Sequence, residues 1–262
     1  EIVSRDWSSD VCSSDLVMAD YVRAREMCDR RKSVASALAV AACYASIDSL
    51  QGNARGAYDS LASAFKKDPK RTPEYRQWLL TRLGEIALRA GDAKLAESHF
   101  REAIATGVVD GYVLAAYADM MLDQRRYPEV VNLLKQWSRS DILLLRLALA
   151  EKAMDAPGAD ARVQALADRF SDAALRGDKL HLAEEARFEM TLRGNLPRAL
   201  ELAVENWQLL QREPRDARVL LEAALAAKRP ADARPAMQWL EQTGYQEARF
   251  RDLALALRKL AQ

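Results

Sequence analysis

Gln77–Gly107 reads QWLLTRLGEIALRAGDAKLAESHFREAIATG, and it spells two helices with a break between them. Leu80, Leu83, Gly84 and Ala87 recur at three- and four-residue spacing, which places them on one face of a first helix. Gly91-Asp92 stops that helix and starts another. Ala96, Phe100 and Ala103 then mark the packed face of the second helix. Where two such helices cross closely, a methyl group fits and a larger side chain forces them apart, which gives Ala96 its physical reason.

The same arrangement recurs along the chain. A small residue opening the inner face of a second helix falls at Ala24, Ala57, Ala96, Val130, Val163, Ala199 and Ala233, in steps of 33, 39, 34, 33, 36 and 34 residues. A larger or filling residue follows four positions later, as in Leu61, Phe100, Leu134 and Met237. Breaks within the pairs read Gly52-Asn53, Gly91-Asp92, Arg125–Pro128, Pro157-Gly158, Gly194-Asn195 and Lys228–Pro230. Asp68-Pro69 and Glu213-Pro214 punctuate between pairs, because proline cannot continue a helix and restricts the residue before it. The pattern predicts a half-unit at 17–31, helix pairs at 34–69, 74–106, 111–137, 141–171, 178–212 and 215–243, and a capping helix at 246–261 with a polar outer face.

On these residues the chain resembles the tetratricopeptide repeat (TPR) family, whose unit of ~34 residues is a helix-turn-helix with this small and large pattern. Leu80, Leu83, Gly84, Ala87, Gly91, Ala96, Phe100 and Ala103 stand at family positions, and the likeness covers nearly all of 17–262. Two departures stand out. Leu80 replaces the usual aromatic at the start of the first helix, and 141–171 keeps only the hydrophobic pattern. The resemblance implies an all-α fold, an α-solenoid of antiparallel helix pairs wound as a right-handed superhelix.

Composition agrees with helices throughout: 50% of residues are apolar and 29% charged, with only ten Gly and eight Pro among 262. Residues 1–16 read differently, with five Ser and four acidic residues and no helical period. Within them DWSSDVCSSDL, Asp6–Leu16, looks like a translated sequencing-adapter oligonucleotide. That segment is expected to be a non-native artefact, disordered or irregular, and is set aside. The native start then lies upstream, and compartment stays open between bacterial cytoplasm and cell envelope; the Ala- and Arg-rich, Lys-poor composition suggests a bacterium of high genomic G+C. Without residues 1–16 the chain carries 38 basic and 34 acidic residues. Their signs are interspersed, which argues against nucleic acid as a partner. Cys28 and Cys43 read as two buried thiols acting as small hydrophobes, with one disulfide as the remaining possibility. The longest uncharged run, Ser33–Ile47, is too short for a membrane span.

Chemistry is sparse. His99 and His181 are the only histidines, and His99 reads as a surface residue. His181 with Glu184 and Glu185 is the one cluster of metal-ligand type, and no further His or Cys completes it. No phosphate loop, dinucleotide motif or nucleophile elbow is present, and Ser63–Lys66 matches SxxK without its companion motifs. Neither a cofactor, a metal nor a catalytic role is expected.

In the TPR family the first helices line a concave groove that holds a peptide or a partner's helix. Placed by the repeat phase, that groove here holds Trp78, Arg82, Glu85, Arg89, Tyr112, Asp119, Asp123, Lys152, His181, Glu184, Glu185, Arg215, Arg218 and Glu222. Trp78 and Tyr112 are the anchor candidates. Thr81 and Glu85 stand where chaperone-binding members carry Lys and Asn, so capture of a chaperone's C-terminus is not implied. The expected function is a non-catalytic protein-interaction scaffold. The alternative is the C-terminal regulatory or substrate-recognition array of a larger enzyme; a base-reading RNA-binding array lacks its regular basic positions.

Overall fold

The computed structural model describes residues 13–69 and 71–262. Residues 1–12, most of the segment set aside as an artefact, lie outside them. Ser13–Val17 forms a short helix, α1, and Tyr21–Arg31 forms α2. Six pairs follow: α3 (Ala37–Asp48) with α4 (Ala54–Lys67), α5 (Pro73–Arg89) with α6 (Ala93–Ile104), α7 (Gly111–Asp123) with α8 (Tyr127–Leu134), α9 (Asp141–Ala153) with α10 (Ala159–Leu175), α11 (Leu182–Phe188) with α12 (Leu196–Gln208), and α13 (Pro214–Ala226) with α14 (Arg234–Thr243). A π turn, Glu189–Arg193, extends α11, and a 3-10 turn, Pro230–Ala233, leads into α14. The last helix, α15 (Ala248–Leu260), packs on α13. Among the described residues there is no strand.

The sequence explains the boundaries. Ser36, Thr72, Asp92 and Asp110 accept backbone N–H groups at the starts of α3, α5, α6 and α7. Glu213 and Asp216 form a reciprocal capping box on α13, with Pro214 at the first helical position. Inner helices are apolar on most of their circumference: in α9 every residue from Leu143 to Glu151 is buried. Outer helices bury one stripe, as Ala96, Phe100 and Ala103 show in α6. In α10 the deeply buried residues are Ala159, Leu166 and Phe170, while Val163 is half-buried, so the small position of this unit lies one turn earlier than the repeat placed it.

Cys28 and Cys43 form a disulfide between α2 and α3, with Cα atoms 5.8 Å apart. This corrects the expectation of two free thiols: both side chains point into the crossing of the two helices, and both are buried. Closing a loop of this length contributes about 3 kcal/mol by restricting the unfolded chain.

The two ends of the array meet. The buried Trp239 Nε1–H donates to the Tyr21 hydroxyl at 3.0 Å, which joins α14 to α2. The backbone N–H of Ala54 donates to Gln246 Oε1 at 3.1 Å, and that of Arg212 donates to the Val17 carbonyl at 2.9 Å. Gly52 lies so close to Gly244 that a Cβ added at Gly52 would stand 3.0 Å from the Gly244 carbonyl oxygen. Tyr245 packs against both the terminal α2–α3 cluster and the C-terminal core. The expected concave groove is therefore the partly open interior of an array whose two ends meet.

Candidate functional site

The cavity has a volume of about 320 Å³. Each inner helix from α5 to α13 contributes polar side chains to it: Glu85 and Arg89, Tyr112 and Asp119, Arg146, Glu184 and Arg187, then Arg215, Arg218 and Glu222. Tyr245 and Phe250 close it from the C-terminal end. A smaller cavity of about 120 Å³ adjoins it, sharing Glu85, Arg89, Tyr112 and Arg215 and adding Arg82 and Glu213.

Most charges in this interior are paired. Asp119 sits between Arg146 and Arg187, at 2.6 Å from each. Burial by itself would raise its pKa, but the two guanidinium groups outweigh burial and hold it well below the usual carboxylate range. Arg218 makes a two-pronged contact with Asp123 at 2.5 and 2.8 Å, bridging α13 to the end of α7. Arg218 also reaches Glu222, which Arg249 grips at 2.6 Å. Against burial, these two arginines lower the pKa of Glu222. The Tyr112 hydroxyl donates to Glu85 at 2.5 Å, Arg82 pairs with Glu85 at 2.9 Å, and the Arg82 guanidinium lies 5.1 Å from the centre of the Tyr112 ring. Tyr112 keeps 37% of its surface accessible and borders the cavity, and desolvation of its phenol raises its pKa.

Of the residues placed in the groove by sequence, Glu85, Arg89, Tyr112, Asp119, Glu184, Arg215, Arg218 and Glu222 line the central cavity. Arg82 lines its neighbour, and Asp123 ties into the same network through Arg218. Four others lie elsewhere. Trp78 stacks on Tyr75, with ring centres 5.9 Å apart, and packs against the core around α3–α5. Lys152 is at the exposed end of α9 and pairs with Asp160; the inner face of that helix runs through Ile142, Leu145 and Arg146. His181 precedes the first turn of α11 as its N-cap, so it does not share a helical face with Glu184. Glu185 turns toward α12, where it meets Arg198 at 3.5 Å. His99, expected at the surface, is half-buried, with its Nε2 at 2.8 Å from the Tyr58 hydroxyl and its pKa lowered by burial. Among the described residues, no three His, Cys, Asp or Glu side chains converge as a metal would require.

Arg146, Arg187 and Tyr245 were missed by sequence. Arg146 left a usable trace, since it is the one charge inside the apolar run Ile142–Ala150 of a helix buried on all sides. Such a charge survives only when paired, and Asp119 is that pair. Tyr245 lies in a loop, outside any repeat position.

Among the described residues, no helix is long and apolar enough to cross a membrane. No protein-family model and no curated protein matches the chain. Its structure is similar to that of a tetratricopeptide repeat protein from Parabacteroides merdae ATCC 43184, with a TM-score of 0.52 and 15% sequence identity over 97% of this chain and 100% of that one. Helix pairs in this order, with Ala and Leu faces between them and that likeness over nearly the whole length, give the chain the TPR-type helical-repeat fold.

Proposed function

We propose that the chain is a non-catalytic protein-interaction scaffold that recognises a partner segment on the inner surface of its array. The observation that carries this reading is the continuity of that surface. Helices α5, α7, α9, α11 and α13 each present polar side chains that neighbouring units already hold in place. Groups fixed before binding lose little freedom on binding. The cavity of about 320 Å³ also limits the guest. A helix is ~10–12 Å across with its side chains, so the closed array admits an extended segment or a few side chains. The buried Cys28–Cys43 disulfide supports residence in an oxidising compartment such as the cell envelope.

Peptides selected from a displayed random library on the intact chain test the reading. Tyr112→Ala combined with Glu184→Gln is expected to weaken their binding at least tenfold at unchanged far-ultraviolet circular dichroism. Unchanged affinity would move recognition to the outer helices.

A further inference from the structure

We propose that the central cavity is also a binding site for a small monocarboxylate with an apolar body, held by Arg89. The argument rests on one guanidinium without a salt bridge. Arg82, Arg146, Arg187, Arg215, Arg218 and Arg249 each have a carboxylate at 2.5–2.9 Å. Among the described residues Arg89 has no carboxylate at ion-pair distance: its guanidinium meets the Ser49 hydroxyl at 2.9 Å and the Tyr245 phenol, while Glu85 favours its charge from farther away. Glu85, one turn earlier on α5, is occupied by Arg82 and the Tyr112 hydroxyl, and Glu247 accepts from Tyr245 at 2.7 Å. Arg89 belongs to the walls of both cavities.

A guanidinium carries five donors in a planar fork that matches a carboxylate, and a cavity-wall cation with no carboxylate in direct contact can take one there. The rest of the wall selects which anion. Leu88, Ala116 and Ile142, all partly exposed, offer apolar surface to the body of a ligand. Glu85, Glu184 and Glu247 stand around the same space and repel a doubly charged phosphate more strongly than a single carboxylate. The volume lies at the small end of the ~300–1,000 Å³ range of ligand sites. This assignment goes beyond partner capture and does not depend on it.

Isothermal titration of the intact, oxidised chain with sodium octanoate and with neutral octanamide tests the site. Octanoate is expected to bind at least tenfold more tightly than its amide. Arg89→Gln should abolish that preference, Arg89→Lys should retain it, and Lys152→Gln, outside the cavity, should leave it unchanged, with folding of each variant checked by circular dichroism. Equal binding of acid and amide, no binding of either, or a preference that persists in Arg89→Gln would overturn the proposal. A third ligand, an N-acetylated peptide ending in leucine with a free carboxylate, separates the sources of this chemistry. If it binds while octanoate does not, the cavity serves a partner's chain end, which overturns the small-ligand site and leaves the scaffold reading standing.

Discussion

Asp119 and Asp216 both lie inside the array, and their surroundings push them in opposite directions. Asp216 is 5% exposed, and burial raises its pKa to about 6 although Arg215, Asn206 and the Glu213 backbone N–H partly offset the effect. An ordinary aspartate titrates near ~3.9, so the folded chain holds this proton more tightly than the unfolded one. The resulting stabilisation is complete below the ordinary value and is lost as pH rises through about 6. Asp119, held low by two arginines, contributes stability above the ordinary value and loses it as pH falls. For Asp216 the shift corresponds to at most about 3 kcal/mol between pH 4 and pH 7. Asp216→Asn is therefore expected to flatten the fall of the urea midpoint over that range, even though it loses an acceptor of the capping box. Parallel pH profiles of the two proteins would remove Asp216 as the titrating group.

At the scale of helices, Gly84 shows how tightly α5 and α6 cross. A Cβ added there would lie 2.8 Å from the ring of Phe100, which is fully buried and has no room to turn away. Alanine gains up to ~1 kcal/mol in helix propensity, while overpacking a filled core costs ~1–3 kcal/mol. Gly84→Ala is expected to lower stability by roughly 1 kcal/mol, measured by urea denaturation, and an equal or higher midpoint would contradict the packing. Helices were the most legible level of the sequence. Proline, capping residues and glycine breaks set boundaries such as Pro73–Ile104 for the predicted 74–106. Phase was harder in α9, because DILLLRLALA is apolar at nearly every position and no period distinguishes inside from outside. Lys152 was placed inward for that reason, and Arg146 faces the cavity instead.

For the whole molecule, the meeting of the two ends of the array had no local trace in the sequence. Curvature accumulates from a small rotation at every pair, so no single residue reports that the last unit returns to the first. The candidate site was legible helix by helix, while its closure by Tyr245 and Phe250 was not. Asp123 links α7 to α13 and α15 across the interior through Arg218 and Arg249. Asp123→Lys sets three cations together and is expected to cost ~1–3 kcal/mol, given the partial contact of the pair with water, and to raise the radius of gyration in small-angle X-ray scattering. An unchanged radius would place the closure elsewhere. The Tyr21–Trp239 hydrogen bond carries a last consequence. Linear repeat arrays fray from their free ends, where amide protons exchange fastest. Here α2 and α14 hold one another, so neither end can peel away alone, and the slowest-exchanging amides should extend into the terminal pairs, with loss of structure as a single cooperative event.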